Sequence, residues 1–176
     1  MFQPTVPSDS LATMPKKKSE TKATKKKRGK ARPYQVAALP LRKGPSGELQ
    51  ILILTSRETR RWIIPKGWPK KGIDDCIAAA EEAREEAGLI GIVQKRSMGS
   101  YRGFKRLDAG FQFVIVRVFR FDVIGELEIW REKGQRLTRW VSLEQATALI
   151  DEPGLLTLLA GLQRGSKPRA PVEPAV

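Results

Sequence analysis

Hydrophobic and polar positions along the chain switch between two periods. Gln35–Leu41 (QVAALPL) and Leu49–Thr55 (LQILILT) are short apolar runs of strand length, the second rich in β-branched residues, which is the pattern of buried strands. Gly44–Gly47 (GPSG) between them carries turn chemistry, so the two runs are expected to form a hairpin. Arg61–Ile64 reads as a short strand stopped by Pro65, and Pro65–Gly72 (PKGWPKKG) as a loop. From Ile73 the period lengthens. Cys76, Ala80, Ala83 and Ala87 recur at helical spacing, and Gly88 suits the position just past a helix end. This predicts a helix over Ile73–Gly88, started by Asp74 or Asp75, whose small residues let it lie close to a sheet.

Ile90–Ser100 and Gly110–Val123 return to strand patterning, the second alternating around Arg117 and Arg120. Tyr101–Ala109 (YRGFKRLDA) reads as a basic connection between them, and Ile124–Lys133 as an acid-bearing loop with Glu126, Glu128 and Glu132. Arg139–Val141 is a further short strand candidate. Ser142 is placed to cap a helix through about Ile150, and Pro153 opens a final Leu-rich helix. Strands mixed with three helices imply an α/β fold, a sandwich with helices on both faces of a mixed sheet.

Composition narrows the chemistry. The chain of 176 residues has no histidine and one cysteine, Cys76. Triads built on histidine, histidine zinc sites, disulfide frameworks and cysteine-rich zinc modules are all excluded. Cys76 lies on the apolar helix stripe and reads as a buried, inert thiol. Hydrolytic chemistry would rest on carboxylates, Lys, Arg or Tyr, and carboxylates without histidine favour a hard, oxygen-preferring cation such as Mg²⁺. No apolar stretch approaches membrane-spanning length, and Met1–Thr13 lacks the basic start and apolar run of a secretory signal. A soluble, cytoplasmic protein is expected.

The formal charge of +14, from 33 Lys+Arg and 19 Asp+Glu, is unevenly spread. Residues 1–33 hold ten basic residues and two acids, a net +8, with almost no apolar residues after Met14. Such a segment cannot bury enough surface to offset its ordering entropy and is expected to be a disordered basic arm. Residues 164–176 form a proline-containing tail of +2, which leaves +4 for a domain spanning residues 34–163. The arm suits nonspecific contact with RNA or another polyanion, an import or transit signal, or simple solubilisation.

The domain is itself polarised. Glu81, Glu82, Glu85 and Glu86 crowd the last turns of the predicted helix, where carboxylates oppose the macrodipole and form like-charge pairs four residues apart. Such local conflict is a mark of function, and a divalent cation would relieve it. The loop just before offers Lys66, Lys70 and Lys71 to phosphates. A metal site beside phosphate-binding cations is what cleavage of a pyrophosphate requires.

Gly67–Leu89 (GWPKKGIDDCIAAAEEAREEAGL) resembles the Nudix box, G-x5-E-x7-R-E-U-x-E-E-x-G-U with U aliphatic. Gly67, Glu82, Ala83, Glu85, Glu86, Gly88 and Leu89 match, while Ile73 stands at the first Glu position and Glu81 at the Arg position. The flanking segments RWIIPKGWPKKG, GSYRGFKRL, IWREKGQRLTRW and EPGLLTLL extend the likeness over Tyr34–Leu162, toward bacterial members similar to diphosphoinositol polyphosphate or diadenosine polyphosphate hydrolases. The resemblance implies an αβα sandwich with the box helix under the site. It implies Mg²⁺ or Mn²⁺ held by Glu82, Glu85 and Glu86 with the Gly67 carbonyl, and water attack on a P–O–P bridge of a phosphorylated small molecule. Glu86, or a loop acid among Glu126, Glu128 and Glu132, is the candidate base. Lys66, Lys70, Lys71, Arg57, Arg102 and Lys105 are candidate phosphate ligands, and Trp62, Trp68 and Tyr101 candidate stacking surfaces. Trp62 also reads as core, and Trp130 and Trp140 as packing residues. Glu81 in place of the box arginine favours an alternative, a catalytically impaired Nudix fold that binds a nucleotide or RNA.

Overall fold

The computed structural model describes residues 33–107 and 110–165, so most of the basic arm and of the tail lies outside the described residues. Seven strands form one mixed sheet: β1 (Tyr34–Lys43), β2 (Leu49–Thr55), β3 (Trp62–Ile63), β4 (Lys66–Gly67), β5 (Leu89–Leu107), β6 (Gly110–Glu126) and β7 (Thr138–Ser142). Helix α1 (Asp75–Ala87) follows β4; α2 (Leu143–Leu149) and α3 (Pro153–Gly165) follow β7. The main path runs β3-β2-β1-β6-β5, with β4 on β1 and β7 on β2.

β1 is central because both of its faces are apolar. Val36 and Ala38 face a cluster with Ala78, Ala79, Ala83, Ala87 and Cys76 of α1. Ala37, Leu39 and Leu41 face the opposite cluster, which holds Leu143 and Ala146 of α2 and Leu155 and Leu159 of α3. Strand alternation therefore assigns successive side chains to two cores, and the helices cover both faces as the pattern predicts. β1 runs parallel to β6 from Tyr34↔Ile115 to Leu41↔Asp122, an association that demands the long intervening excursion through α1.

The β1–β2 hairpin is present, but its partners pair only from Leu41↔Ile51 to Lys43↔Leu49. Nearer its start β1 instead accepts β4, with Val36↔Gly67 and Ala37↔Lys66 in register and the Ala38 amide donating to the Pro65 carbonyl at 3.0 Å. The segment expected to be wholly loop thus carries a two-residue strand. Pro65 and Pro69 flank it without interrupting it, since neither sits at a paired position. The second departure is the hairpin of β5 and β6. Tyr101–Leu107 pairs with Gly110–Val116 and is strand, not connection. Its basic residues do not prevent this, because one face of the strand is exposed: Tyr101 and Gly103 point inward, Arg102 and Phe104 outward. β6 also continues past Val123 to Glu126. No helix among the described residues is long and apolar enough to cross a membrane.

Candidate active site

Three elements meet at one end of the sheet: β4, the last turns of α1, and the loop from Leu127 to Leu137. They line a cleft of about 350 Å³ together with the loop after β2. Helix α1 ends at Gly88, in the left-handed conformation with φ 68°, and its amide returns to the Ala83 and Arg84 carbonyls. A Cβ at Gly88 would stand 2.6 Å from the Trp130 ring, so glycine serves both the cap and the packing of this loop. The freed carbonyls at the helix end hold the loop. The Leu127 amide donates to the Gly88 carbonyl at 2.7 Å, and the Glu132 amide to the Glu85 carbonyl at 3.1 Å. At its far end the loop is pinned to β2: the Thr55 amide donates to the Leu137 carbonyl at 2.9 Å, and the Leu137 amide to Thr55 Oγ1 at 3.1 Å.

This anchoring places cations against the crowded carboxylates. Arg136, with a side chain only 5% exposed, donates to Glu86 Oε1, to Glu132 Oε2 at 2.7 Å and to the Thr55 carbonyl at 3.1 Å. Glu86 Oε2 also accepts the Lys66 amide at 3.2 Å. Burial pushes the Glu86 carboxyl up to about 7, against the lowering by Arg136 and the Lys66 amide. Glu85 faces Arg131 on one side and Lys70 at 3.4 Å on the other. Burial raises its pKa, but these two cations more than offset that and leave it lowered. Lys70 also reaches Glu81 at 2.7 Å. The conflict with the helix dipole is thus answered at Glu81, Glu85 and Glu86 by side chains of this chain.

Glu82 is different. It is half-buried, its pKa is raised chiefly by burial, and no hydrogen bond or ion pair to it is found among the described residues. Its carboxyl lies directly over Gly67, where a Cβ would come within 2.3 Å of Oε1. Oxygen donors from Glu82, Glu85, Glu86, Glu132 and the Gly67 carbonyl suit a hard divalent cation in kind. Among the described residues no three acids are grouped closely enough to hold one, Glu85 and Glu86 being turned toward arginine and lysine.

Lys66, Arg57 and Arg61 line the same cleft. Lys66 is deeply placed, 3.9 Å from Glu152, and burial lowers its pKa against the pull of Glu152 and Glu86. Arg57 is largely exposed and 3.6 Å from Glu132. Trp68 and Phe104, both exposed, complete the rim. Of the expected phosphate ligands, Lys66 and Arg57 reach the cleft. Lys70 lies toward the outer side of α1, Lys71 and Arg102 are exposed and outside the lining, and the Lys105 side chain lies outside the described residues. Of the three loop acids only Glu132 lines the cleft. Glu126 accepts from Trp140 Nε1 at 2.8 Å and pairs with Arg42, and Glu128 is exposed.

Tyr101 does not offer a stacking face. It is buried beneath Gly154, with its hydroxyl donating to Glu152 Oε2 at 2.6 Å. Trp62 packs against the α2/α3 core. Among the lining residues that the sequence does not single out are Arg136, Arg131, Arg61, Glu58 and Glu152. Arg136 and Arg131 sit in IWREKGQRLTRW, one of the segments that carries the family likeness.

The NUDIX domain profile matches residues 32–160. The chain belongs to the Nudix family. Among curated relatives, Nudix hydrolase 13, mitochondrial, of Arabidopsis thaliana is 28% identical over 109 residues, covering 58% of this chain and 54% of the relative. Nudix hydrolase 21, chloroplastic, of the same plant is 31% identical over 124 residues, covering 65% and 58%. The chain spans about half the length of the curated relatives it matches. Among solved structures, the C. elegans Ap4A hydrolase binary complex superposes with a TM-score of 0.57 at 20% identity, over 76% of this chain and 96% of that one. The shared Nudix architecture is the mixed sheet between α1 and the α2/α3 pair.

Proposed function

We propose that this Nudix chain is a metal-dependent pyrophosphohydrolase that cleaves a P–O–P bond in a phosphorylated small molecule, with diadenosine polyphosphates and inositol pyrophosphates favoured. The observation that carries this reading is the cleft that Lys66, Arg57 and Arg61 line together with Glu82, Glu85, Glu86 and Gly67. Its cations can orient and neutralise phosphates. Its acids can hold a divalent ion and accept a proton from water. Mg²⁺ or Mn²⁺, when bound, would supply charge neutralisation at the bridge and a more acidic water. Glu82, over Gly67 and with no ion pair among the described residues, is the best-placed ligand; Glu85 and Glu86 would join it through a closer approach than they make beside Arg131, Lys70 and Arg136. Glu132 is the loop acid that geometry favours as base, with Glu86 its competitor. Trp68 and Phe104 offer planar surfaces at the rim for a base, where the substrate has one.

The test is hydrolysis of a panel of diadenosine polyphosphates, inositol pyrophosphates, nucleoside diphosphate sugars and 5′-triphosphorylated RNA, with and without Mg²⁺. Turnover of at least one member is expected, lost on chelation and reduced at least about a hundredfold in Glu86→Gln. Failure with every member, or undiminished activity in Glu86→Gln, rejects the reading.

The neutralised state of Glu85 and Glu86 also supports a second reading, a catalytically silent nucleotide- or RNA-binding domain. That reading requires binding of a nucleotide or RNA without any divalent ion. The basic arm is proposed to add nonspecific polyanion affinity, which deletion of residues 1–32 should remove.

A further inference from the structure

The arginine that the Nudix box carries is replaced here by Glu81, and Glu81 faces Lys70 rather than Glu86. Arg84, the remaining arginine on the helix, is exposed. Yet an arginine does reach the inner carboxylates, from fifty residues further along the chain. The Arg136 guanidinium touches three elements at once: Glu86 on α1, Glu132 on the loop and the Thr55 carbonyl at the end of β2. Its backbone is fixed by the reciprocal bonds between Thr55 and Leu137. The planar fork of arginine suits such multiple contacts, which a lysine cannot reproduce. With Oε1 held by Arg136 and Oε2 by the Lys66 amide, Glu86 is confined to one orientation.

We propose that Arg136, reaching Glu86 from the 127–137 loop, is the positioning residue of this active site, serving a helix that carries Glu81 and no inward arginine of its own. The proposal rests on the pyrophosphohydrolase reading and assigns Arg136 no contact with substrate. It acts through Glu86, with Glu132 and the Thr55 carbonyl holding the guanidinium in place, so its removal should slow the chemical step without weakening substrate binding.

The experiment compares Arg136→Gln, Arg136→Lys, Glu86→Gln and the Glu86→Gln/Arg136→Gln pair with the wild type, using whichever panel substrate the wild type hydrolyses. In Arg136→Gln we expect kcat to fall about a hundredfold with KM within about threefold. Arg136→Lys should recover part of the loss, and it carries the same readout should Arg136→Gln not fold. The double variant should be no slower than Glu86→Gln alone, within about twofold, because a residue acting through Glu86 has nothing left to position. In ¹⁵N-labelled protein the Arg136 Nη2–H resonance, whose acceptor is Glu86 Oε1, should be slow to exchange in the wild type and lose that protection in Glu86→Gln. An unchanged kcat, a loss carried by KM, additive losses in the double variant, or an Nη2–H indifferent to Glu86 would each overturn the proposal. Should the wild type hydrolyse nothing, the hydrolase reading fails while the resonance still decides whether the clamp exists.

Discussion

The two faces of the sheet are covered by helices of opposite character. On one face α1 packs through Ala78, Ala79, Ala83, Ala87 and Cys76, and it ends in glutamates. On the other, α2 and α3 pack through Leu143, Ala146, Leu155 and Leu159. Helix α1 contributes little volume per residue but brings its backbone close to β1 and β4, which sets Glu82 over Gly67. Helices α2 and α3 contribute larger side chains, and α2 is well capped: Ser142 and Gln145 form a reciprocal capping box. The comparison teaches a division of labour. Helix α1 tolerates poor intrinsic electrostatics because loop cations correct it, and α2 and α3 supply packing that carries no chemistry.

The largest expected effect tests the packing face. Leu159 is fully buried in the α3 core. Leu159→Ala should cost about 2–5 kcal/mol of unfolding free energy by urea titration, from lost transfer energy plus an unfilled cavity. Turnover per folded molecule should stay within about twofold of wild type. A large fall in kcat with folding intact would show that the two faces are coupled and break the division.

Gly67→Ala asks the converse question of the α1 face. The added methyl would meet the Glu82 carboxyl at 2.3 Å. The end of a flexible side chain can move aside, and the backbone at Gly67 does not have positive φ, so the melting temperature should change by only a few degrees. Displacing Glu82 should nonetheless lower kcat/KM by about a hundredfold, because a misplacement of about 1 Å at a reacting centre has that effect. A Gly67→Ala protein with full activity would remove Glu82 from the site.

What the sequence made legible follows from range. The α1 helix, its acidic end and the glycine cap are local periodicities, and all appear where the pattern places them. The buried strands β1 and β2 are equally local. Arg136 was illegible because its meaning depends on a partner fifty residues away and on backbone bonds that fold a loop without periodicity. Tyr101 is hidden by the basic residues around it, which mark a connection; only as strand does the parity Tyr101, Gly103 inward and Arg102, Phe104 outward place it in the core. Spacing identifies the carboxylates, but it carries no information about the cations that Glu85 and Glu86 face.

Glu81 marks where the chemical character of the α1 face stops, and its replacement should have the smallest effect. It pairs with Lys70 at 2.7 Å, but the two side chains are 39% and 35% exposed, so solvent screens the pair. Glu81→Gln removes that attraction and also the like-charge neighbour of Glu85 four residues on, two terms of opposite sign and similar size. Unfolding free energy should therefore change by less than about 0.5 kcal/mol. Lys70 retains Glu85 as a partner at 3.4 Å, so the inner carboxylates keep their surroundings. Activity should stay within about twofold of wild type, measured as kcat/KM on the preferred substrate. A tenfold loss would place Glu81 inside the catalytic arrangement and would mean that the Lys70 pair, rather than Arg136 alone, compensates for the missing box arginine.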